Sequence, residues 1–238
     1  VSGHSKWKQI KNKKAASDAK KGAIFTRLIR NIILAAREGG GDPSHNFKLA
    51  TAVEQARAVN MPKDNIERAI KKGTGEEGAG ELHEVLYEAY GPAGVAILIK
   101  AATDNLNRTV SDVRHALQKH GGTFAEGGAV AWNFEQKGVV RISDTPANKE
   151  ELELAAIDAG ADDINEEDGG VVITTSPKNL QRLKETLEKQ GFKSEYADVE
   201  FIPKNTIELD DDGHVKLEAL TAAIDDLEDV QDYYTNAE

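Results

Sequence analysis

The sequence predicts an α+β, multidomain protein: an N-terminal three-helix bundle, an α+β domain, and a ferredoxin-like domain inserted into it. Three observations carry this expectation. Apolar residues in the first third recur at spacings of three and four, the period of an amphipathic helix. From residue 83 onward, short alternating or continuous apolar runs are interleaved with helical patterns. From Gly138 to Pro203 the element order reads β-α-β-β-α-β, that of the split βαβ fold. The boundaries follow: 1–78 for the basic helical domain, 79–136 plus 204–238 for the α+β domain, and 137–203 for the insertion.

In "AIFTRLIRNIILAARE", Ile24, Phe25, Leu28, Ile29, Ile32, Ile33 and Ala36 form one broad apolar face, with Arg27, Arg30, Asn31 and Arg37 opposite. "GGGDP" breaks the chain, and Asp42 is expected to cap the next helix with Pro43 at its first position. Leu49, Ala52, Val53, Ala56 and Val59 supply that helix's buried stripe. "MPKDNIERAIKKG" is the third helix, with Pro62 in its first turn and Gly73 at its end. Short turns joining three such helices make a small bundle.

"HEVLYEAYG" and "GVAILIKAAT" read as strands around the turn "GPAG". "DNLNRTVSDVRHALQKHGG" is a helix with Leu106, Val110, Val113 and Leu117 as its stripe, and "AVAWNFEQ" (129–136) reads as another strand. In the insertion, "GVVRIS" is a strand and "NKEELELAAIDAG" a helix ending at Gly160. "ADDINEEDGGVVITTS" is a hairpin turning at Asp168-Gly169-Gly170. "PKNLQRLKETLEKQG" starts on proline and stops on glycine as a helix does, and "FKSEYADVEFIP" is the last strand. The tail "VKLEALTAAIDDLEDVQDYYTN" is a helix and a short strand without partners of their own, expected to return to the strands of 80–135.

Charge is distributed unevenly. Residues 1–75 hold 16 Lys+Arg against 6 Asp+Glu, a formal +10; residues 76–238 hold 14 against 35, a formal −21. A basic head on an acidic body points to a polyanion partner, with a solvated lysine face or a disordered tail as the plainer alternative. Residues 3–22, "GHSKWKQIKNKKAASDAKKG", contain seven lysines and one acid. Lys6, Lys8, Lys11, Lys13, Lys14, Lys20 and Lys21 would ring a helix rather than line one stripe, so the segment has little to bury and is expected to order on a polyanion. His4 and Trp7 add planar groups suited to stacking on bases, although Trp7 equally suits packing against the bundle. Arg27, Arg30, Lys71 and Lys72 extend the basic set. Lysine offers point charge rather than a planar fork, which favours phosphate contact over base identity.

Other chemistries find no support in the residues. The chain has no cysteine, so disulfides and thiolate zinc sites are excluded. No G-x-x-x-x-G-K-[ST] or G-x-S-x-G occurs, and "GGGD" follows a helix rather than a strand. His115 and His120 are five apart and do not share a helix face well. "ELDDDGHVKLEA" fails as a calcium loop because its twelfth place is Ala219, so it reads as an acidic turn leading into a helix. "DDINEED" and "IDDLED" read as solvated faces or as surfaces that repel nucleic acid. No catalytic site, cofactor, metal or small-molecule substrate is expected. The longest apolar runs, "GVAILI" and "NIILAA", are too short to span a bilayer, and no charged start leads into a long apolar stretch.

At "GHSKWKQIKNKKAASDAKKG", "FTRLIRNIILAAREGGGDP" and "AVEQARAVNMPKDNIERAIKKGTG" the chain resembles the YebC family. The resemblance continues through "YEAYGPAGVAILI", "TDNLNRTVSDVRHALQKHGG" and "GAVAWNFEQKG". It covers nearly the whole chain in motif order. The family includes bacterial proteins labelled as transcriptional regulators and the mitochondrial translational activator of cytochrome c oxidase subunit I. The resemblance implies three domains, no enzyme activity and no cofactor. It implies a nucleic-acid partner, either DNA or the rRNA and tRNA of the ribosome, where relatives ease difficult peptide synthesis. The resemblance already starts at Gly3, from which no presequence and a cytoplasmic location are expected. Two readings follow. A DNA reader would use "PKDNIERAIKKG" as recognition helix, with Asn65 and Arg68 at the bases; a translation factor would use the lysine-rich arm on folded RNA. In either case, reversing Lys11, Lys13, Lys14, Lys20 and Lys21 to Glu is expected to abolish polyanion binding in an electrophoretic shift assay while circular dichroism shows the body still folded.

Overall fold

The computed structural model describes residues 18–78, 82–142, 148–167 and 169–238, and for residues 18–21 the backbone alone. The described chain forms two compact units, Phe134–Lys204 and the chain on either side of it.

The head contains α1 (Asp18–Gly39), α2 (Phe47–Ala58) and α3 (Lys63–Thr74). Their apolar faces close on one core, in which Ile32, Ile33 and Ala36 of α1 meet Leu49, Val53 and Ala56 of α2 and Ile66 and Ala69 of α3. The helix punctuation differs from the sequence expectation in two places. Gly73 lies buried inside α3, where a Cβ would sit 2.6 Å from both the Ile33 carbonyl oxygen and the Ala36 Cβ. It is a point of close approach to α1, and Gly75 ends the helix in the left-handed region at φ +87°. At α2 the cap is Asn46, not Asp42. The Asn46 Oδ1 accepts from Leu49 N at 3.1 Å, while Nδ2 donates to the carbonyls of Ala35 (2.7 Å) and Gly40 (2.8 Å) at the end of α1. An aspartate can only accept, so it could not serve both helix ends. Asp42 instead takes the Ser44 N–H (2.9 Å) and hydroxyl (2.7 Å) in the preceding turn.

Next come β1 (His83–Tyr90), β2 (Ala96–Thr103), α4 (Leu106–Lys119) and β3 (Thr123–Ala125). The insertion follows as β4 (Phe134–Ile142), α5 (Lys149–Asp158), β5 (Ala161–Glu167), β6 (Gly170–Thr175), α6 (Leu180–Lys189) and β7 (Tyr196–Pro203). The chain closes with α7 (Asp211–Asp225) and β8 (Val230–Thr235). Asp210 caps α7 by accepting from Gly213 N at 2.8 Å, so the acidic run there opens a helix.

The first sheet has the order β3-β1-β2-β8 and is antiparallel throughout. The tail strand thus returns to β2, with Leu98 opposite Tyr234 and Ile99 opposite Tyr233. One face of this sheet, with Ala89, Ile97 and Ile99, is covered by Val113 and Leu117 of α4 and by Leu217, Leu220 and Ile224 of α7. Within α4 the buried stripe is turned from the expected one: Leu106 is exposed, and Thr109 is buried because its hydroxyl has a polar partner inside. The second sheet has the order β5-β6-β4-β7, the ferredoxin-like arrangement of the β-α-β-β-α-β unit. Gly138 of β4 lets α6 lie close, since a Cβ there would be 2.8 Å from the Leu180 Cβ.

The strand expected over 129–136 is divided. Ala131–Asn133 is a single 3-10 turn, and β4 begins at Phe134. The backbone N–H groups of Gly128, Val130 and Ala131 are taken by the Glu88 carboxylate, so they cannot join a ladder.

Two glycines of the bundle separate packing from propensity. A methyl group added at Gly22, in α1, would meet no atom of the described residues within 4 Å, whereas one added at Gly73 would meet backbone. Gly22→Ala is expected to stabilise the protein by up to about 1 kcal/mol through helix propensity. Gly73→Ala is expected to destabilise it by about 1–3 kcal/mol through overpacking, both read from urea unfolding followed by circular dichroism.

Candidate nucleic-acid interface

α1 is a two-sided helix, and its arginines fall on the side away from the bundle core. Arg27 and Arg30 are only 14% and 13% exposed, because both reach the C-terminal end of α7. Arg27 Nη1 donates to Asp225 Oδ1 at 2.8 Å and Nη2 to the Asp225 carbonyl at 2.7 Å. Arg30 Nη1 donates to the Glu228 carbonyl at 2.5 Å, and its Nη2 lies 2.9 Å from Asp229 Oδ1. A helix ends with unpaired carbonyls and partial negative charge, and guanidinium groups complement both.

Asp229 gathers donors from several elements. Its carboxylate is 6% exposed and accepts from Arg108 Nη2 (2.9 Å), Thr109 Oγ1 (2.6 Å) and Thr103 Oγ1 (3.2 Å) in addition to Arg30. Its carbonyl accepts from Ala102 N at 2.8 Å. Burial alone would push this carboxyl up. The hydrogen bonds from Thr109 and Arg108 and the charges of Arg30 and Arg108 more than offset that and hold it below the usual aspartate range. The structure therefore directs Arg27 and Arg30, both in the sequence-derived basic set, onto protein carboxylates and carbonyls.

The other members fall into three groups. His4, Lys6, Trp7, Lys8, Lys11, Lys13 and Lys14 lie outside the described residues. Lys20 and Lys21 lie on the first turn of α1, in the part described by backbone alone. Lys71 and Lys72 lie in the last turn of α3. Among the described residues of the head, Lys71, Lys72 and Arg57 are exposed cations with no ion pair, whereas Lys48 is paired with Glu38 and Lys63 with Glu67. Arg57 stands outside the sequence-derived set; its signal is a cation in the last turn of α2, one turn after Val53 at the flank of the buried stripe.

On the outer side of α3, the residues expected to read bases are engaged with each other. Arg68 Nη2 donates to Asn65 Oδ1 at 2.5 Å, and Arg68 Nε donates to the Asp64 carbonyl at 3.3 Å. Asp42, Ser44 and His45 also cluster, but Asp42 Oδ2 and Ser44 Oγ both address His45 Nδ1, at 2.8 and 3.0 Å. A serine relay needs its hydroxyl and carboxylate on opposite ring nitrogens, so this is a turn. The Ser44 side chain, Ser44 N–H and His45 bring the Asp42 carboxyl down to about 2. Among the described residues, no three His, Asp or Glu side chains are grouped as metal ligands, and no helix is long and apolar enough to cross a membrane.

Known proteins share this architecture and its sequence. A family model described as the TACO1/YebC protein N-terminal domain matches residues 5–76, and one described as the TACO1/YebC second and third domain matches residues 82–237. The chain belongs to the TACO1/YebC family. A relative from Pseudothermotoga lettingae is 54% identical over 100% of this chain and 94% of its own length. One from Thermotoga maritima is 52% identical over 100% and 94%. Each is named "Probable transcriptional regulatory protein". The crystal structure of a conserved hypothetical protein from Aquifex aeolicus is similar at a TM-score of 0.85 and 44% identity, covering 94% of this chain and 93% of that one.

Removing Asp229 would leave Arg30 and Arg108 facing each other's positive charge in a half-buried site. Asp229→Ala is expected to destabilise the protein by about 3 kcal/mol or more. Because the native carboxyl titrates below its unfolded value, its stabilisation is present above about pH 4 and is lost as pH falls through the lowered native value. Asp229→Asn is expected to flatten this acid limb in urea unfolding measured from about pH 3 to 7.

Proposed function

We propose that this TACO1/YebC-family chain is a cytoplasmic, non-enzymatic, nucleic-acid-binding regulator of gene expression, and specifically a DNA-binding regulator of transcription. The observation that carries the reading is the segregation of charge, +10 over residues 1–75 against −21 over the remainder. With Arg27 and Arg30 committed to Asp225, Glu228 and Asp229, the proposed contact set consists of His4, Trp7, the seven lysines between residues 6 and 21, Lys71 and Lys72, with Arg57 added. The names of the relatives in Pseudothermotoga lettingae and Thermotoga maritima favour transcription as the process.

A second reading, an RNA- or ribosome-associated factor acting in translation, is favoured by one observation. The helix available for base reading has Arg68 bound to Asn65 and carries Asp64 and Glu67 beside them. Lysines around such a helix suit phosphate contact without sequence preference.

Affinity measured across salt for a promoter duplex, a random duplex and purified ribosomes tests both. The transcription reading expects the promoter to be preferred over the random duplex by at least about 10³-fold. Equal duplex affinities, with ribosome co-sedimentation at physiological salt, would transfer the assignment to translation. For either target, Lys71→Ala with Lys72→Ala is expected to lower the slope of log K against log salt by about 2.

A further inference from the structure

The face of the first sheet opposite α4 and α7 carries a surface of another character. Strand β1 alternates, so Ala89 joins the helix-covered core while Glu84, Leu86, Glu88 and Tyr90 project to the other side. After β3 the chain turns through Gly127 and Gly128, the latter at φ +89°, and loops back over this face. Glu88 fixes the loop. Its Oε1 accepts from Gly128 N at 2.5 Å, and its Oε2 accepts from Val130 N at 2.6 Å and Ala131 N at 2.8 Å. Burial pushes this carboxyl up, and the three N–H bonds more than offset that, so it is an ionised acceptor at neutral pH.

Two aromatic side chains are tethered to one carbonyl of this loop. Tyr90 Oη and Trp132 Nε1 both donate to the Ala129 oxygen, at 3.1 and 2.9 Å. Their polar groups are thereby satisfied, yet Trp132 is 64% exposed and Tyr90 40%, with Leu86 on the same strand face also 40% exposed. A partner meeting these rings has no indole N–H or phenol O–H to desolvate and no loop to order, the two costs that usually erode binding. Exposed tryptophan and tyrosine held this way are the residue types that dominate binding energy.

The surrounding charge selects the partner. Glu126 is exposed at the base of the loop, and Glu84 lies two residues from Leu86, paired with Lys100 at 3.1 Å. Residues 82–133 and 205–238 together hold 5 Lys+Arg against 16 Asp+Glu. Lys100 stands opposite Leu86 and pairs with Glu84, Glu88 is occupied by the loop, and the acids of α4 and α7 belong to helices across the sheet. Glu126 is therefore the carboxylate of this loop left to meet a cation, and guanidinium and ammonium groups would be drawn to it and to the indole face. We propose that Trp132, Tyr90 and Leu86 form a docking site for a basic, extended protein segment, with an arginine or lysine of that segment stacked on Trp132 and met by Glu126. This site does not depend on the reading of the basic head, and it fails or stands separately from it.

The chain has two tryptophans, so Trp7→Phe leaves Trp132 as the only one and its emission as a local probe. This full-length variant is titrated with a ten-residue Arg-Gly repeat peptide and, separately, with a twelve-nucleotide oligothymidylate. The peptide is expected to change Trp132 emission saturably, and the oligonucleotide to leave it unchanged. By calorimetry, Trp132→Ala is expected to weaken peptide binding about tenfold. Glu126→Gln, which removes an exposed carboxylate and leaves the loop contacts intact, is expected to weaken it severalfold. Peptide affinity unchanged in both variants would overturn the site, since general acidity would then account for binding. Trp132 emission that responds to the oligonucleotide and not to the peptide would overturn it in favour of base stacking.

Discussion

A buried carboxylate surrounded by donors from several elements organises the unit formed by the head and the first sheet. Asp229 is met by Arg30 from α1, Thr103 from β2, and Arg108 and Thr109 from α4, and it sits at the entrance to β8. Desolvating a charge this far is costly unless its lone pairs are occupied, and here two guanidinium groups and two hydroxyls supply the occupancy. The arrangement is directional where apolar packing is not. It sets how the return strand meets β2 and where α1 lies against the end of α7.

This constraint divides the cations of the head by role. Those about one helical turn apart on α1, Arg27 and Arg30, complete a helix end and a buried ion pair. Those at the ends of α2 and α3, Arg57, Lys71 and Lys72, are exposed and make no ion pair among the described residues. The same logic applies to the acids. Asp225 and Glu228 belong to the run "IDDLED", which in sequence reads as a solvated face, and Asp229 closes it; in the fold the run receives both arginines. Glu88 is a second case, an acid on an exposed strand face that is consumed by three backbone N–H groups. Net charge therefore describes the long-range field of each region, while the local partner of each charge is a matter of tertiary geometry.

Elements set by local chemistry are legible in the chain. The bundle stripe of α1, the hairpin of β1 and β2, and the β-α-β-β-α-β order of the insertion all rest on periodicity and turn residues. Elements that depend on a distant partner are not. Gly73 reads as a helix stop because glycine usually is one, but α1 needs its missing Cβ. Asn46 is hidden behind Asp42 as a cap because its second role lies on another helix. Residues 129–136 alternate like one strand, but the Glu88 carboxylate takes the Val130 and Ala131 donors, and the ladder begins at Phe134. For the candidate interface, the clustering of lysine is plain in the sequence, whereas the withdrawal of Arg27 and Arg30 is not, since the partners in these hydrogen bonds lie 198 residues away.

What the sequence by itself determined is thus the set of helices and strands, the return of the tail to the first sheet, and the separation of a basic head from an acidic body. These follow from backbone periodicity and formal charge, which need no knowledge of neighbours. Only the tertiary structure decided which charges are spent internally and which aromatic rings are presented outward. A hydrogen bond depends on distances of a few ångströms between residues that the chain order leaves far apart, as Asp229 with Arg30 and Tyr90 with Ala129 show.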